Sequence, residues 1–282
     1  MARHEETERG AKRCPPARRP QAPPPAPVTR LSVNLNKAAL LRNARGGDRP
    51  DVPHLARVCA RAGAAGVTLH PRPDGRHARA ADVVALAALT GEGFELNVEG
   101  NPFEGPGRTG DYAFPGFVEL LHRARPTQAT LVPDAPGQRT SDHGWDLGRD
   151  GARLAPLVEE LRGLGCRVSL FVEPEPEAVR AAAAVGADRV ELYTGPYAWA
   201  HAAGDARAEL ARHRAAADQA RQLGVVVNAG HDLDRSNLGP FLGAVPGVAE
   251  VSIGQALLAD ALEMGLAATV EAYLGVIRRA SV

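Results

Sequence analysis

Ala62-Gly63-Ala64-Ala65-Gly66-Val67-Thr68-Leu69-His70 holds one complete structural transition. An Ala- and Arg-rich helical pattern ends at Gly63, where glycine suits the turn that closes a helix. A short β-prone run, Gly66–His70, follows and stops on a histidine. The transition recurs: Leu164-Gly165-Cys166 precedes a run at Arg167–Val172, and Val185-Gly186-Ala187-Asp188 precedes one at Arg189–Tyr193. Further runs read at Leu31–Leu35, Phe94–Val98, Gln128–Val132, Val225–Asn228 and Ala249–Ile253. Helical patterns separate them at 51–62, 79–90, 115–124, 150–164, 175–185, 205–223, 236–243 and 255–279.

Eight alternating β/α units with no second composition regime predict an α/β protein, a (β/α)8 TIM barrel with additional helices. An open doubly wound sheet is the rival, and the count of eight speaks against it. The chain has 282 residues, 44% apolar and 23% charged, which suits a barrel of about 250 residues. The first 29 residues differ in kind. They carry Pro15, Pro16, Pro20, Pro23, Pro24, Pro25 and Pro27, several Arg, and little to bury. A disordered tail over 1–29 and a catalytic domain over 30–282 are therefore expected.

Thirty-three basic and 33 acidic residues give no electrostatic reason to expect nucleic acid or an anionic membrane as partner. No apolar run approaches the roughly 18 residues of a membrane span, and the start has no apolar signal-peptide core. Cys14, Cys59 and Cys166 are far apart and odd in number, which fits free thiols in a reducing cytoplasm. The expected location is cytoplasmic.

Polar residues collect where the β-runs stop, the end at which barrel enzymes hold their reactive groups. His70 is followed by Arg72 and Arg76, which suggests a proton-transfer group beside an anion. Asn97 and Glu99 alternate with apolar Leu96 and Val98, so the Glu99 carboxylate points into the barrel mouth as a candidate base. Its bland alternative is an ion pair with an arginine such as Arg72. His231 ends Val227-Asn228-Ala229-Gly230-His231, where small residues allow a ligand close to the backbone. Metal binding is the rival for these three, but no His-x-His, HExxH or Cys-x-x-Cys spacing accompanies them. Ser252-Ile253-Gly254-Gln255 ends the last run at the mouth of a helix, an arrangement that offers free N–H groups to a phosphate.

The chain has two lysines, Lys12 in the tail and Lys37 at the end of the first run. Lys37 reads as a Schiff-base lysine, as a plain cation for a substrate oxygen, or as chance. Two connections are long. Pro133–Arg149 carries Gln138, Arg139, Thr140 and Ser141 and suits a lid over an anion. Gly100–Phe114 reads as a bland surface excursion.

The ordered set Asn34-Leu35-Asn36-Lys37, Leu41-Arg42-Asn43-Ala44-Arg45-Gly46, Thr68-Leu69-His70-Pro71-Arg72, Arg76-His77, Asn97-Val98-Glu99, Thr194-Gly195, Asn228-Ala229-Gly230-His231 and Ser252-Ile253-Gly254 resembles the pyridoxine 5′-phosphate synthase family. The resemblance covers about residues 30 to 280. It implies a (β/α)8 barrel in an octamer that condenses 1-deoxy-D-xylulose 5-phosphate with 3-amino-2-oxopropyl phosphate. No cofactor is implied. Residue by residue, it makes His70 and Glu99 proton acceptors and His231 a proton donor. It places Asn34, Arg45, Arg72, His77, Thr140, Asp232, Gly254 and Gln255 at positions that bind the two phosphorylated substrates, and Glu191 at a further polar position in the barrel; Asn36 and Lys37 are expected to bind substrate beside them. Three departures stand out: Asn36-Lys37 replaces the commoner Asp-His, Asp232 stands where glycine is usual, and Gln255 where histidine is usual. A Schiff-base aldolase using Lys37, or a non-catalytic sensor of pyridoxine phosphate, are the alternatives.

Overall fold

The computed structural model describes residues 29–91, 93–135 and 137–280. The expected tail over 1–29 lies outside these, apart from Thr29. Eight parallel strands close into a barrel in the order β1-β10-β9-β8-β7-β6-β3-β2. They are β1 (Arg30–Asn34), β2 (Gly66–Leu69), β3 (Glu95–Gly100), β6 (Gln128–Leu131), β7 (Arg167–Val172), β8 (Arg189–Leu192), β9 (Val226–Ala229) and β10 (Val248–Ile253). The remaining two, β4 (Gly107–Thr109) and β5 (Tyr112–Phe114), form a separate hairpin. The helices are α1 (Asn36–Asn43), α2 (Val52–Arg61), α3 (Ala80–Ala87), α4 (Phe117–Ala124), α5 (Leu147–Gly163) and α6 (Pro176–Val185). They continue with α7 (Gly195–Ala202), α8 (Arg207–Leu223), α9 (Leu238–Ala244), α10 (Gln255–Met264) and α11 (Leu266–Ala280).

Alternation along the strands sorts the side chains into two environments. Leu31, Val33, Val67, Leu69, Leu96 and Val98 are wholly buried in the main apolar cluster, which also contains helix residues such as Leu86, Leu120 and Tyr273. Each such side chain contributes about 1.5–3 kcal/mol, so this shell holds the fold together. The opposite strand faces are polar. Ser32 and Ser252 hydroxyls lie 2.7 and 3.0 Å from Thr68 Oγ1, and Thr130 Oγ1 donates to Asn97 Oδ1 at 3.0 Å. Nearer the strand starts, Glu95 accepts from Arg30 and Arg167, and Arg189 donates to Asn228 Oδ1 at 3.0 Å. Barrel interiors are usually packed with Val, Ile and Leu; this one is largely a hydrogen-bonded polar stack leading up to the strand ends.

The expected strands match β1–β3 and β6–β10 to within two residues at each end, the largest difference being β3, which runs on to Gly100. Four expectations need correction. The segment after β1 is a helix, α1, so Lys37 sits in a first helical turn and not on the strand. A short α7, opened by Gly195-Pro196, was not expected. The expected helix 255–279 is two helices, broken at Gly265, whose φ of +79° suits glycine. The excursion Gly100–Phe114 is not bland: its hairpin packs on the loop after β2. Ala80 N–H donates to Tyr112 Oη at 3.2 Å, and Thr109 Oγ1 donates to the Pro73 carbonyl at 3.2 Å.

Candidate active site

The C-terminal ends of the strands enclose a cavity of about 340 Å³. Thirteen of the fourteen candidate residues line it: Asn34, Asn36, Lys37, His70, Arg72, His77, Glu99, Thr140, Glu191, His231, Asp232, Gly254 and Gln255. Arg45 does not. It lies exposed just beyond the end of α1, outside the cavity of its own chain.

Local turns put these groups in place. Asn34 Oδ1 accepts the Asn36 N–H at 3.1 Å, and Asn36 Oδ1 accepts the His70 N–H at 2.7 Å, so α1 and the end of β2 are locked together. Asn36 is thus committed to the scaffold through its carbonyl oxygen. Asn43, at the end of α1, donates to the carbonyls of Gly75, Arg76 and His77 at 2.9, 3.1 and 2.7 Å. That fixes the loop bearing His77. Buried Arg42 beside it makes a two-pronged pair with Asp82 at 2.6 and 2.8 Å, the fork geometry in which Arg meets carboxylate best.

The loop before α5 folds over the cavity, as a lid would. Arg72 and Arg76 donate to the Gln138 carbonyl, Arg76 also to the Arg139 carbonyl at 3.0 Å, and Thr140 Oγ1 lies 2.7 Å from His231 Nε2. Arg72 pairs with buried Asp134, not with Glu99. Glu99 Oε2 instead accepts from Asn34 Nδ2 at 3.3 Å. Asp134 went unread in the sequence, although it lies just past a strand stop, the position that marked the other candidates.

Electrostatics divide the cavity into two regions. Above β1, β2 and β6, cations crowd one another. Burial, then Arg76, Arg72 and Arg139, push the Lys37 ammonium below its ordinary pKa. Burial, then Arg72 and Lys37, push His77 down to about 3. Burial and Arg72 hold His70 well below its usual value, so its imidazole is neutral and able to accept a proton. Arg72 Nε and His77 Nδ1 are buried with no hydrogen-bond partner. A cluster of this kind is arranged for an anion. Deeper in the barrel, carboxyls crowd instead. Burial, then Glu191, Asp134 and Glu250, raise Glu99 well above the ordinary carboxyl range, and burial with Glu250 brings Glu191 to about 8. A raised carboxyl is a stronger base once ionised.

A second anion position is the start of α10. Gly254 caps this ten-residue helix without any side-chain hydrogen bond, leaving the first-turn N–H groups facing the cavity mouth with Gln255 and Ala256. A Cβ on Gly254 would approach Asn34 to 3.1 Å, and one on Gly230 would meet the Ser252 carbonyl at 2.4 Å. Glycine keeps both approaches open. Asp232 has φ +62°, a left-handed conformation that Asp tolerates better than most residues.

Known proteins resemble this chain over nearly all of its described length. A family model described as pyridoxal phosphate biosynthesis protein PdxJ matches residues 31–279. The chain belongs to the PdxJ family. Within it, the chain is 56% identical over 252 residues to the pyridoxine 5′-phosphate synthase of Xanthomonas axonopodis pv. citri (strain 306), covering 89% of this chain and 97% of that protein. It is 57% identical over 250 residues to that of Xanthomonas campestris pv. campestris (strain B100), covering 88% and 96%. Among solved structures, tryptophan synthase from M. tuberculosis superposes with a TM-score of 0.54 at 13% identity, covering 88% of this chain and 93% of that one. That likeness concerns the barrel fold alone. No helix among the described residues of this PdxJ protein is long and apolar enough to cross a membrane, and Cys59 and Cys166 are buried free thiols.

Proposed function

We propose that this chain makes pyridoxine 5′-phosphate by condensing 1-deoxy-D-xylulose 5-phosphate with 3-amino-2-oxopropyl phosphate, releasing phosphate and water. The observation that carries this reading is a single cavity with a cationic corner, a free helix start, and His70, Glu99 and His231 on its wall. Two anion positions suit two phosphorylated substrates. His70, neutral at physiological pH, and Glu99 serve as proton acceptors in the eliminations and enolisations; His231 serves as the donor. Lys37, Arg72, His77 and Thr140 hold one phosphate, and the N–H groups after Gly254 hold the other. Asn34 orients Glu99, and Glu191 supplies a polar contact to substrate from the barrel wall.

The experiment is direct: purified protein with both substrates, watched for the absorbance of a pyridine product. Product formation is expected, and its absence would leave a binding protein. Borohydride added during turnover distinguishes the aldolase reading, in which Lys37 would carry a reduced adduct; Lys37 is expected to stay unmodified.

The working unit is proposed to span 30–282, to act in the cytoplasm and to assemble as an octamer. Strongly exposed apolar side chains, Leu41 at 58%, Trp199 at 61% and Leu262 at 83%, support assembly. Arg45, remote from its own cavity, can serve as a substrate ligand only across such an interface. Light scattering that returned the mass of one chain would remove both the octamer and that role.

A further inference from the structure

His231 is held from several directions. Its carbonyl accepts from Thr194 Oγ1 at 2.5 Å, its ring meets the Tyr193 ring edge-on at 5.5 Å, and Nε2 lies 2.7 Å from the Thr140 hydroxyl. Nδ1 is buried and lacks a well-aligned hydrogen bond, yet Asp232 Oδ2 is 3.2 Å away. Among the described residues, only Asp232 and Arg125 carry a side chain at positive φ. Asp232 thus keeps a carboxylate in a backbone conformation that favours glycine. The His231 contact, then the Lys37 ammonium, hold Asp232 ionised below the usual carboxylate range.

We propose that Asp232 is a positioning residue for His231: it anchors the Nδ1–H, presents Nε2 to the cavity, and favours the imidazolium that donates the proton. This deepens the synthase reading and rests on it. In the step, Nε2–H passes its proton to the departing hydroxyl, which leaves as water. The ring becomes neutral with its remaining proton on Nδ1, still facing Asp232. The same carboxylate offsets Lys37, so the two residues act as one charge-balanced pair.

Other charges around His231 make Asp232 consequential. Lys37 from α1, Arg72 from the loop after β2, and Arg139 from the lid line the same cavity, and all oppose an imidazolium. Glu99 and Glu191 are biased toward their neutral forms by burial. The Tyr193 phenol, pushed up to about 12 by burial and then by Asp232, Asp142 and Glu173, is neutral. Asp232 is the ionised carboxylate in contact with the ring.

The test uses full-length Asp232→Asn and Asp232→Gly, since both residues accept the left-handed backbone. Histidine-ring NMR titration and the pH profile of kcat are measured beside wild type. In both variants the alkaline limb of kcat should move to lower pH, as expected when the donor loses its close opposite charge. Activity that needs the protonated donor should then be lost at correspondingly lower pH, with KM for both phosphorylated substrates nearly unchanged. An unmoved midpoint and an unmoved alkaline limb would overturn the proposal. A loss confined to KM would overturn it too, making Asp232 a substrate contact. A midpoint shifted in the variants, beside a wild type that makes no pyridine product, would uphold the anchoring and sink the reaction.

Discussion

Glu99 and Glu191 share a wall of one cavity, yet their environments suit different tests. Replacing Glu99 by Gln keeps shape and the contact with Asn34 but removes the proton acceptor. Ring closure should fall by about 10²–10⁴-fold, the usual worth of a general base, with phosphate binding retained. Near-normal turnover of Glu99→Gln would assign the base elsewhere. Glu191 is better tested by stability. Its folded pKa is about 8 against 4.5 when free, so the folded chain binds the extra proton. Stability from this group is therefore full below pH 4.5 and is lost as pH rises to about 8. Glu191→Gln should melt higher than wild type, with a gap that widens from pH 5 to pH 8; a gap independent of pH would contradict the buried-carboxyl account. At this scale the sequence was informative about which residues reach the cavity, because strand ends advertise them. It was silent about pairing: Arg72 could meet Glu99 or Asp134, and the choice depends on where the loop after β6 returns.

Elements position the chemistry through backbone contacts that no pattern in the chain displays. Three carbonyls of the His77 loop end on the amide of Asn43. Removing that amide in Asn43→Ala should cost about 1–3 kcal/mol, because carbonyls are left with fewer donors. It should also weaken phosphate binding without moving the groups on β3 or β9. Thermal melting and substrate affinity together check this; a stable variant with normal affinity would show the loop to be self-supporting. The start of α10 is tested by Gly254→Val. Its side chain would press on Asn34 and cover the free N–H groups, so affinity for phosphorylated substrates should drop; unchanged affinity would remove this anion position. The barrel strands were legible because glycine stops and β-branched runs bracket them. Helix α1 was hidden because it begins two residues after a strand and has only eight residues. The β4–β5 hairpin was hidden by its Gly- and Pro-rich surroundings, where Gly110 and Asp111 turn two three-residue strands.

For the molecule as a whole, an apolar shell outside the strands carries the stability, which frees the interior to be polar and the mouth to be charged. The crowding of Lys37, Arg72, Arg76, Arg139 and His77 has a thermodynamic consequence for ligand capture. Burial, and then neighbouring cations, hold the His77 and Lys37 pKa values down; a phosphate ester entering this corner adds an opposing charge, and both should climb. Where that climb leaves either group protonated at the working pH, capture of the ester draws protons from the solution. At pH 7.5, where a phosphate monoester is already mostly a dianion, calorimetry in buffers of different ionisation enthalpy should return different heats for the same binding event. The slope against ionisation enthalpy counts protons taken up, and His77→Gln should make it shallower. Equal heats in every buffer would mean that the corner binds its anion without changing protonation. A positive slope would make substrate affinity itself a sensor of ambient acidity, tightening as the surroundings turn more acidic over the range in which the ester stays doubly charged.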